Sequence, residues 1–166
     1  MIDRRIVVAS IAGLSGLAAL RWLKTSPAQG TEKFEVEKTD ADWRAQLTSP
    51  QYEILRKQGT ERPGSSPLLK EHRKGTFACA GCDLPLFSSD TKFDSGTGWP
   101  SFYQPLENAV ETKDDRSYGV LRREVHCRRC GGHLGHVFDD GPKPTGLRYC
   151  IDGIALVFRP AGASAT

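Results

Sequence analysis

Five cysteines, two closely spaced histidines and an arginine carry most of the chemistry available to this 166-residue chain. Four cysteines form two Cys-x-x-Cys pairs, Cys79/Cys82 and Cys127/Cys130, with residues 83–126 between them. Two such knuckles can present four thiolates tetrahedrally, which is what a closed structural zinc site requires. Gly81 and Gly131-Gly132 sit beside the pairs and permit a tight backbone turn around a metal. The competing use of the four thiols is disulfide bonding, which oxidising compartments favour. Cys150 is left over, in the strand-like stretch Leu147–Asp152. A lone strand cysteine is more often an inert buried residue than a nucleophile. Against that, strand periodicity puts Arg148, Cys150 and Asp152 on one face. A guanidinium beside a thiol favours the thiolate. His133 and His136 follow the second knuckle directly, so a metal staple there would hold them near the thiol. On spacing alone, both readings of Cys150 stand.

Composition narrows the class of protein. A hydrophobic content of 38% supports a real core, while 17 Gly and 10 Pro point to a loop-rich, mainly β fold. No segment repeats at a fixed period, which argues against solenoids and propellers. The net charge of +3 resides in residues 1–24, where Arg4, Arg5, Arg21 and Lys24 face only Asp3. The rest of the chain balances to zero, and four metal-bound thiolates would make it slightly acidic. Charge therefore gives no support to a nucleic-acid partner.

Residues 1–24 read as an export signal or membrane anchor. Ile6–Leu20 is uncharged, bracketed by Arg4-Arg5 and Arg21–Lys24, with small residues at Ser26-Pro27-Ala28. The run is short for a spanning helix and contains Gly13 and Gly16. The arginine pair resembles a twin-arginine signal, which predicts export to a bacterial periplasm with the protein already folded and metal-loaded. An uncleaved signal would give membrane association, and a cytoplasmic location is the alternative. Residues 25–38 follow as a polar linker, 39–160 as the folded domain and 161–166 as a disordered tail.

Within the domain, Asp40–Leu47 carries Trp43 and Leu47 on one helical face. Ser49-Pro50 reads as an N-cap followed by proline at the first helical position, leading into Gln51–Gln58, with Gly59 placed to end the helix. Thr60–Pro67 is turn-rich. Strands are expected at Thr76–Ala78, around Phe93, at Tyr118–His126, His136–Phe138, Arg148–Ile151 and Ile154–Arg159.

Five segments then become recognisable together: PQYEILRKQGTER (50–62), FDSGTGWPSF (93–102), HLGHVF (133–138), DGPKPTG (140–146) and LRYCI (147–151). In this order, around two Cys-x-x-Cys pairs, they resemble the methionine-R-sulfoxide reductase family from about Asp40 to Arg159. The resemblance implies two antiparallel sheets in a β-tent fold, with N-terminal helices outside and one structural Zn2+ on Cys79, Cys82, Cys127 and Cys130. It implies Cys150 as the catalytic cysteine and Trp99 as the wall of an apolar pocket for the substrate methyl group. His133, His136 and Arg148 match the groups that bind and polarise the sulfoxide oxygen, with Asp152 at a substrate-binding position. The implied activity is reduction of methionine-R-sulfoxide in oxidised proteins, by a thioredoxin-like or other thiol reductant. The chemistry suits the residues: attack by a thiolate on a sulfoxide with a polarised oxygen leaves sulfenic acid on cysteine.

Two positions depart from that pattern. Many relatives carry a resolving cysteine where this chain has Thr97, so no thiol remains to close a disulfide once four bind metal. Relatives usually have asparagine where this chain has Asp152, and a carboxylate there should raise the thiol pKa unless Arg148 pairs with it or it is protonated. Two other readings compete. A zinc-ribbon binding module would use Arg122/Arg123 and Arg128/Arg129, and a cysteine peptidase would pair Cys150 with His133 or His136.

Overall fold

Two short helices open the domain because threonine caps each of them. In the computed structural model, which describes residues 33–117 and 119–162, α1 spans Asp40–Gln46 and α2 spans Ser49–Lys57. The segment read as an export signal lies outside the described residues, as do 25–32 of the linker, Tyr118 and residues 163–166 of the tail. Thr39 and Thr48 form reciprocal capping boxes with Asp42 and Gln51. The cap of α2 is thus Thr48, with Ser49 and Pro50 already inside the helix. Threonine at 48 has a glutamine three residues on to complete the box, which Ser49 lacks. At the other end Gln58, with φ of 55°, takes the left-handed position expected of Gly59. The Gln58 N–H donates to the Glu53 carbonyl, a six-to-one closure of the helix, and the Gly59 N–H reaches the same oxygen at 3.0 Å. Trp43, Leu47, Tyr52, Ile54 and Leu55 are buried.

Nine strands follow: β1 Gly75–Cys79, β2 Pro85–Ser88, β3 Lys92–Phe93, β4 Ser101–Phe102, β5 Val110–Asp115, β6 Arg122–Cys127, β7 His133–Phe138, β8 Arg148–Ile151 and β9 Leu156–Pro160. They form two antiparallel sheets, β2-β1-β9 and β3-β4-β8-β7-β6-β5. The core between them is aromatic: Phe87 stacks on Phe102 at 4.4 Å between centroids, and Phe77 meets Phe102 edge-on at 5.0 Å. No described helix is long and apolar enough to cross a membrane.

β5 (Val110-Glu111-Thr112-Lys113-Asp114-Asp115) has no apolar alternation to announce it. It is an edge strand whose polar side chains pair across to β6, Lys113 opposite Glu124 and Asp115 opposite Arg122. β7 begins at His133, three residues earlier than its apolar pattern suggests, and β9 begins at Leu156 because Gly153–Ala155 forms a 3-10 turn. Residues 33–38 lie on the second knuckle: the Val36 N–H donates to Arg129 O, and a Cβ at Gly131 would strike the Phe34 ring.

Candidate active site

The four knuckle cysteines sit at strand ends, Cys79 closing β1 in one sheet and Cys127 closing β6 in the other. Their sulfurs all lie within 4.8 Å of one another, with Cys82 to Cys127 at 3.5 Å and Cys79 to Cys130 at 3.8 Å. A disulfide needs about 2.05 Å, so these are separate thiols. A tetrahedron of sulfurs around a metal at about 2.3 Å has edges near 3.8 Å, and the four atoms fit that figure closely enough to hold a metal ion. In the first knuckle Asp83 takes the left-handed turn (φ 61°) rather than Gly81; in the second Gly131 does (φ 65°).

Cys150 lies in β8, with β4 and β7 hydrogen-bonded on either side. In register, it faces Ser101 across β4 and His136 across β7. Side chains directly opposite in an antiparallel pair share a face, so the sheet itself brings His136 to the thiol. His133, three residues from His136, should point the other way in a regular strand. A bulge prevents this: Val125 pairs with Gly135 while its neighbour His126 pairs with His133, leaving Leu134 as the extra residue. The additional residue inverts the alternation, and the two imidazoles meet at 5.5 Å between centroids.

Each histidine is held by a carboxylate. His136 Nε2 donates to Asp115 Oδ2 at 2.8 Å, and His133 Nδ1 donates to Glu124 Oε1 at 2.8 Å. Burial lowers the His136 pKa despite Asp115, so the resting ring is neutral with Nδ1 free to accept or receive a proton. Asp115 is kept well below the usual carboxylate range by Ser117 and His136. Glu124 is buried; burial pushes its carboxyl up, yet His133 and Lys113 together hold it below its ordinary value. The His133 Nε2 is buried and makes no hydrogen bond within the described protein.

A pocket of about 220 Å³ opens between these groups. Cys150, His136, Asp152 and Thr60 supply its polar side, with Arg122 ion-paired to Asp115 at its edge; Trp99 and Phe138 supply aromatic walls. The Trp99 indole N–H donates to Glu61 O at 3.2 Å, fixing the ring. His133 lies outside this pocket and lines a polar cavity behind it, together with His136, Glu124 and Asp115.

Arg148 does not pair with Asp152. Its guanidinium forms two 2.8 Å bonds to Asp140 and rests 4.3 Å above the Phe138 ring. Burial raises the Cys150 pKa, and Asp152 adds to the rise; a Thr97 hydroxyl at 3.8 Å and the Arg148 charge work against it. Asp152 follows the end of β8 and its Oδ1 accepts the Glu61 N–H at 2.9 Å. The Glu61 carboxylate in turn accepts the Gly153 N–H, so two buried acids lie together under the pocket. A Cβ at Gly153 would strike Ser66, which explains the glycine here.

Burial pushes the Asp152 carboxyl up to about 6. A raised acid pKa means the folded state holds the proton more tightly, so the favourable contribution is present below pH 4 and is lost as pH rises through about 6. Above that, the ionised carboxylate costs about 3 kcal/mol. Asp152→Asn keeps the acceptor for Glu61 N–H and removes the charge. Urea unfolding should show the variant more stable by about 2–3 kcal/mol at pH 7.5, with no gain at pH 4. A gain independent of pH would refute the electrostatic origin.

The sequence pointed to Cys150, His136, Trp99 and Asp152 as site residues, and the fold brings all four to one pocket. Arg148 lies beside the Cys150 thiol and His133 lines the cavity behind the pocket. Asp115 and Glu124 carry no sequence signal of their own, while Glu61 and Phe138 fall inside recognisable segments without being singled out by them.

Comparison with known proteins gives the family of the chain. A family model described as the SelR domain matches residues 47–160. Three curated relatives each bear the name peptide methionine sulfoxide reductase MsrB. The one from Agrobacterium fabrum (strain C58) is 58% identical over 127 residues, 76% of this chain and 94% of its own length. Those from Leptospira interrogans and Methanosarcina mazei are 56% and 54% identical over 127 and 125 residues, covering 97% and 89% of their own lengths.

Proposed function

The chain belongs to the SelR-domain family of peptide methionine sulfoxide reductases, and we propose that it reduces methionine-R-sulfoxide in proteins through a sulfenic acid on Cys150. The observation that carries this reading is the placement of Cys150 opposite His136, in a pocket walled by Trp99 and Phe138. The aromatic walls suit the substrate methyl group, and the polar side suits the sulfoxide oxygen. That asymmetry admits one epimer at sulfur.

The reaction begins with the Cys150 thiolate, which Arg148 favours and burial opposes. His136, held by Asp115 at Nε2, takes the Cys150 thiol proton on its free Nδ1 and delivers it to the sulfoxide oxygen as sulfur attacks. Sulfur attacks sulfur, the oxygen passes to Cys150, and methionine leaves as a thioether. Cys150 is oxidised by two electrons and the sulfoxide reduced by two. One external thiol then displaces water from the sulfenic acid, giving a mixed disulfide, and a second releases Cys150 as a thiol. With Thr97 in the resolving position and four thiols gathered at the knuckles, an external thiol, thioredoxin-like or small, is the reductant this chain needs.

Cys79, Cys82, Cys127 and Cys130 would hold one zinc ion; an all-thiolate set with no open position is structural, tying the two sheets together. The reading of residues 1–24 as an export signal or anchor supports repair in the periplasm or at a membrane, with the cytoplasm as the alternative.

The protein should be incubated with each epimer of a dabsylated methionine sulfoxide and dithiothreitol. Reduction of the R epimer alone is expected. One turnover without reductant should leave Cys150 16 Da heavier, about one oxygen, by peptide mass. Reduction of the S epimer, no turnover, or an intramolecular disulfide at Cys150 would each overturn the proposal.

A further inference from the structure

Thr97, Ser95 and Ser101 line up behind the nucleophile. Thr97 Oγ1 lies 3.8 Å from Cys150 Sγ and 2.9 Å from Ser95 Oγ. Ser95 Oγ lies 2.7 Å from Ser101 Oγ, which is 3.2 Å from the Trp99 carbonyl. Ser101 is fully buried and directly opposite Cys150 in the β4–β8 register, so the row is built into the sheet. Of these hydroxyls only that of Thr97, which favours the thiolate, has entered the chemistry described above.

Each hydroxyl has one proton to donate. The row therefore has only two self-consistent directions. In the first, the thiol donates to Thr97, Thr97 to Ser95, Ser95 to Ser101, and Ser101 to the Trp99 carbonyl. In the second, every hydroxyl turns round: Ser101 donates to Ser95, Ser95 to Thr97, and Thr97 to sulfur. A sulfur that carries its proton fits the first direction. A sulfur that has lost its proton fits the second, exchanging one bond to a neutral carbonyl for a charge-assisted bond to a thiolate. Hydrogen-bonded rows polarise cooperatively, so intermediate arrangements are disfavoured.

Resting on the assignment of Cys150 as the reductase nucleophile, we propose that Thr97, Ser95 and Ser101 form a reversible hydroxyl row that accepts from the Cys150 thiol at rest and donates to its thiolate during catalysis. Thr97 touches the reacting sulfur and is a catalytic residue; Ser95 and Ser101 are positioning residues. The position that holds a second thiol in many relatives here holds a switchable donor.

Opposite signs follow from members of the same row. Thr97→Val removes the donor to the thiolate. Ser101→Ala removes the acceptor that draws the row away from sulfur, so Ser95 and Thr97 default to donating toward it. The charged and titratable groups facing Cys150 are Arg148 and Asp152 on its own segment, His136 from β7 and Arg122 from β6. All four stay in place in these variants.

The test is the pH midpoint for iodoacetamide alkylation of Cys150 in the metal-loaded protein, followed by peptide mass. At pH 7, Thr97→Val should react about tenfold more slowly and Ser101→Ala about threefold faster than wild type. Thr97→Ser should restore the wild-type rate. Ser95→Ala, at a half-buried position less sensitive to packing, should match Ser101→Ala in sign. Shifts of the same sign in Thr97→Val and Ser101→Ala, no shift in either, or failure of Thr97→Ser to restore the rate would overturn the proposal. Failure of the reductase reading shows separately, as wild type that leaves the R-sulfoxide unreduced while the alkylation shifts persist.

Discussion

Stripping the metal from the four-cysteine site should unfold the domain. The pairs close β1 of one sheet and β6 of the other, so a metal held there would cross-link layers that share a modest aromatic core. Helix α2 depends on the same corner: Arg56 donates to Cys130 O, and Leu55 packs against Gly132. Zinc binding by four thiolates contributes about 10–16 kcal/mol, comparable to the whole stability of about 5–15 kcal/mol of an ordinary domain. Treatment with a strong chelator should release about one zinc per chain, by mass spectrometry of the eluted metal. The near-ultraviolet circular dichroism should be lost in parallel, and Cys127→Ala should fail to accumulate as folded protein. A chelated protein that keeps its melting temperature would show that the sheets hold without the metal.

Gly135→Ala should abolish turnover by a different route, through the backbone under the nucleophile. Gly135 has φ of 148°, and a Cβ there would lie 2.1 Å from the Cys150 carbonyl oxygen. That atom belongs to rigid backbone in the neighbouring strand, so β7 and β8 must separate or the bulge at Leu134 must collapse. Either change moves Cys150 relative to His136, which face each other in register. A displacement of about 1 Å in a reacting pair costs about 10²-fold in rate, and the forced backbone adds a stability loss of about 1–3 kcal/mol. Turnover of methionine-R-sulfoxide should fall at least about 100-fold in protein that remains folded at 25 °C. Activity within about threefold of wild type would mean that the strands absorb the methyl group without moving the site.

Much of this site can be read from residue order. Cysteine spacing pointed to the metal cluster, and the tally of thiols set Cys150 apart. The recognisable segments from Pro50 to Ile151 tied Trp99, His133, His136 and Arg148 to one activity. These features are local: a knuckle needs two cysteines three apart, and an apolar helical face shows as Trp43 and Leu47 four apart. The boundaries that went astray were local too. Thr48 rather than Ser49 caps α2, because only Thr48 has the glutamine that completes the box.

What the sequence by itself determined is therefore the inventory: four thiols in two knuckles, a fifth set apart at Cys150, and threonine rather than a further thiol at position 97. Tertiary structure decided how those groups are disposed toward one another. The bulge at Leu134 turns His133 to the face of His136, and β5, an edge strand without apolar pattern, delivers Asp115 to orient His136. Arg148 turns to Asp140, leaving Asp152 to the Glu61 backbone, and Ser101 completes a hydroxyl row across β4. The physical reason is the same in each case. Parity across a sheet, ion-pair choice and proton direction depend on partners 6 to 91 residues away, whose distances exist only once the strands have paired.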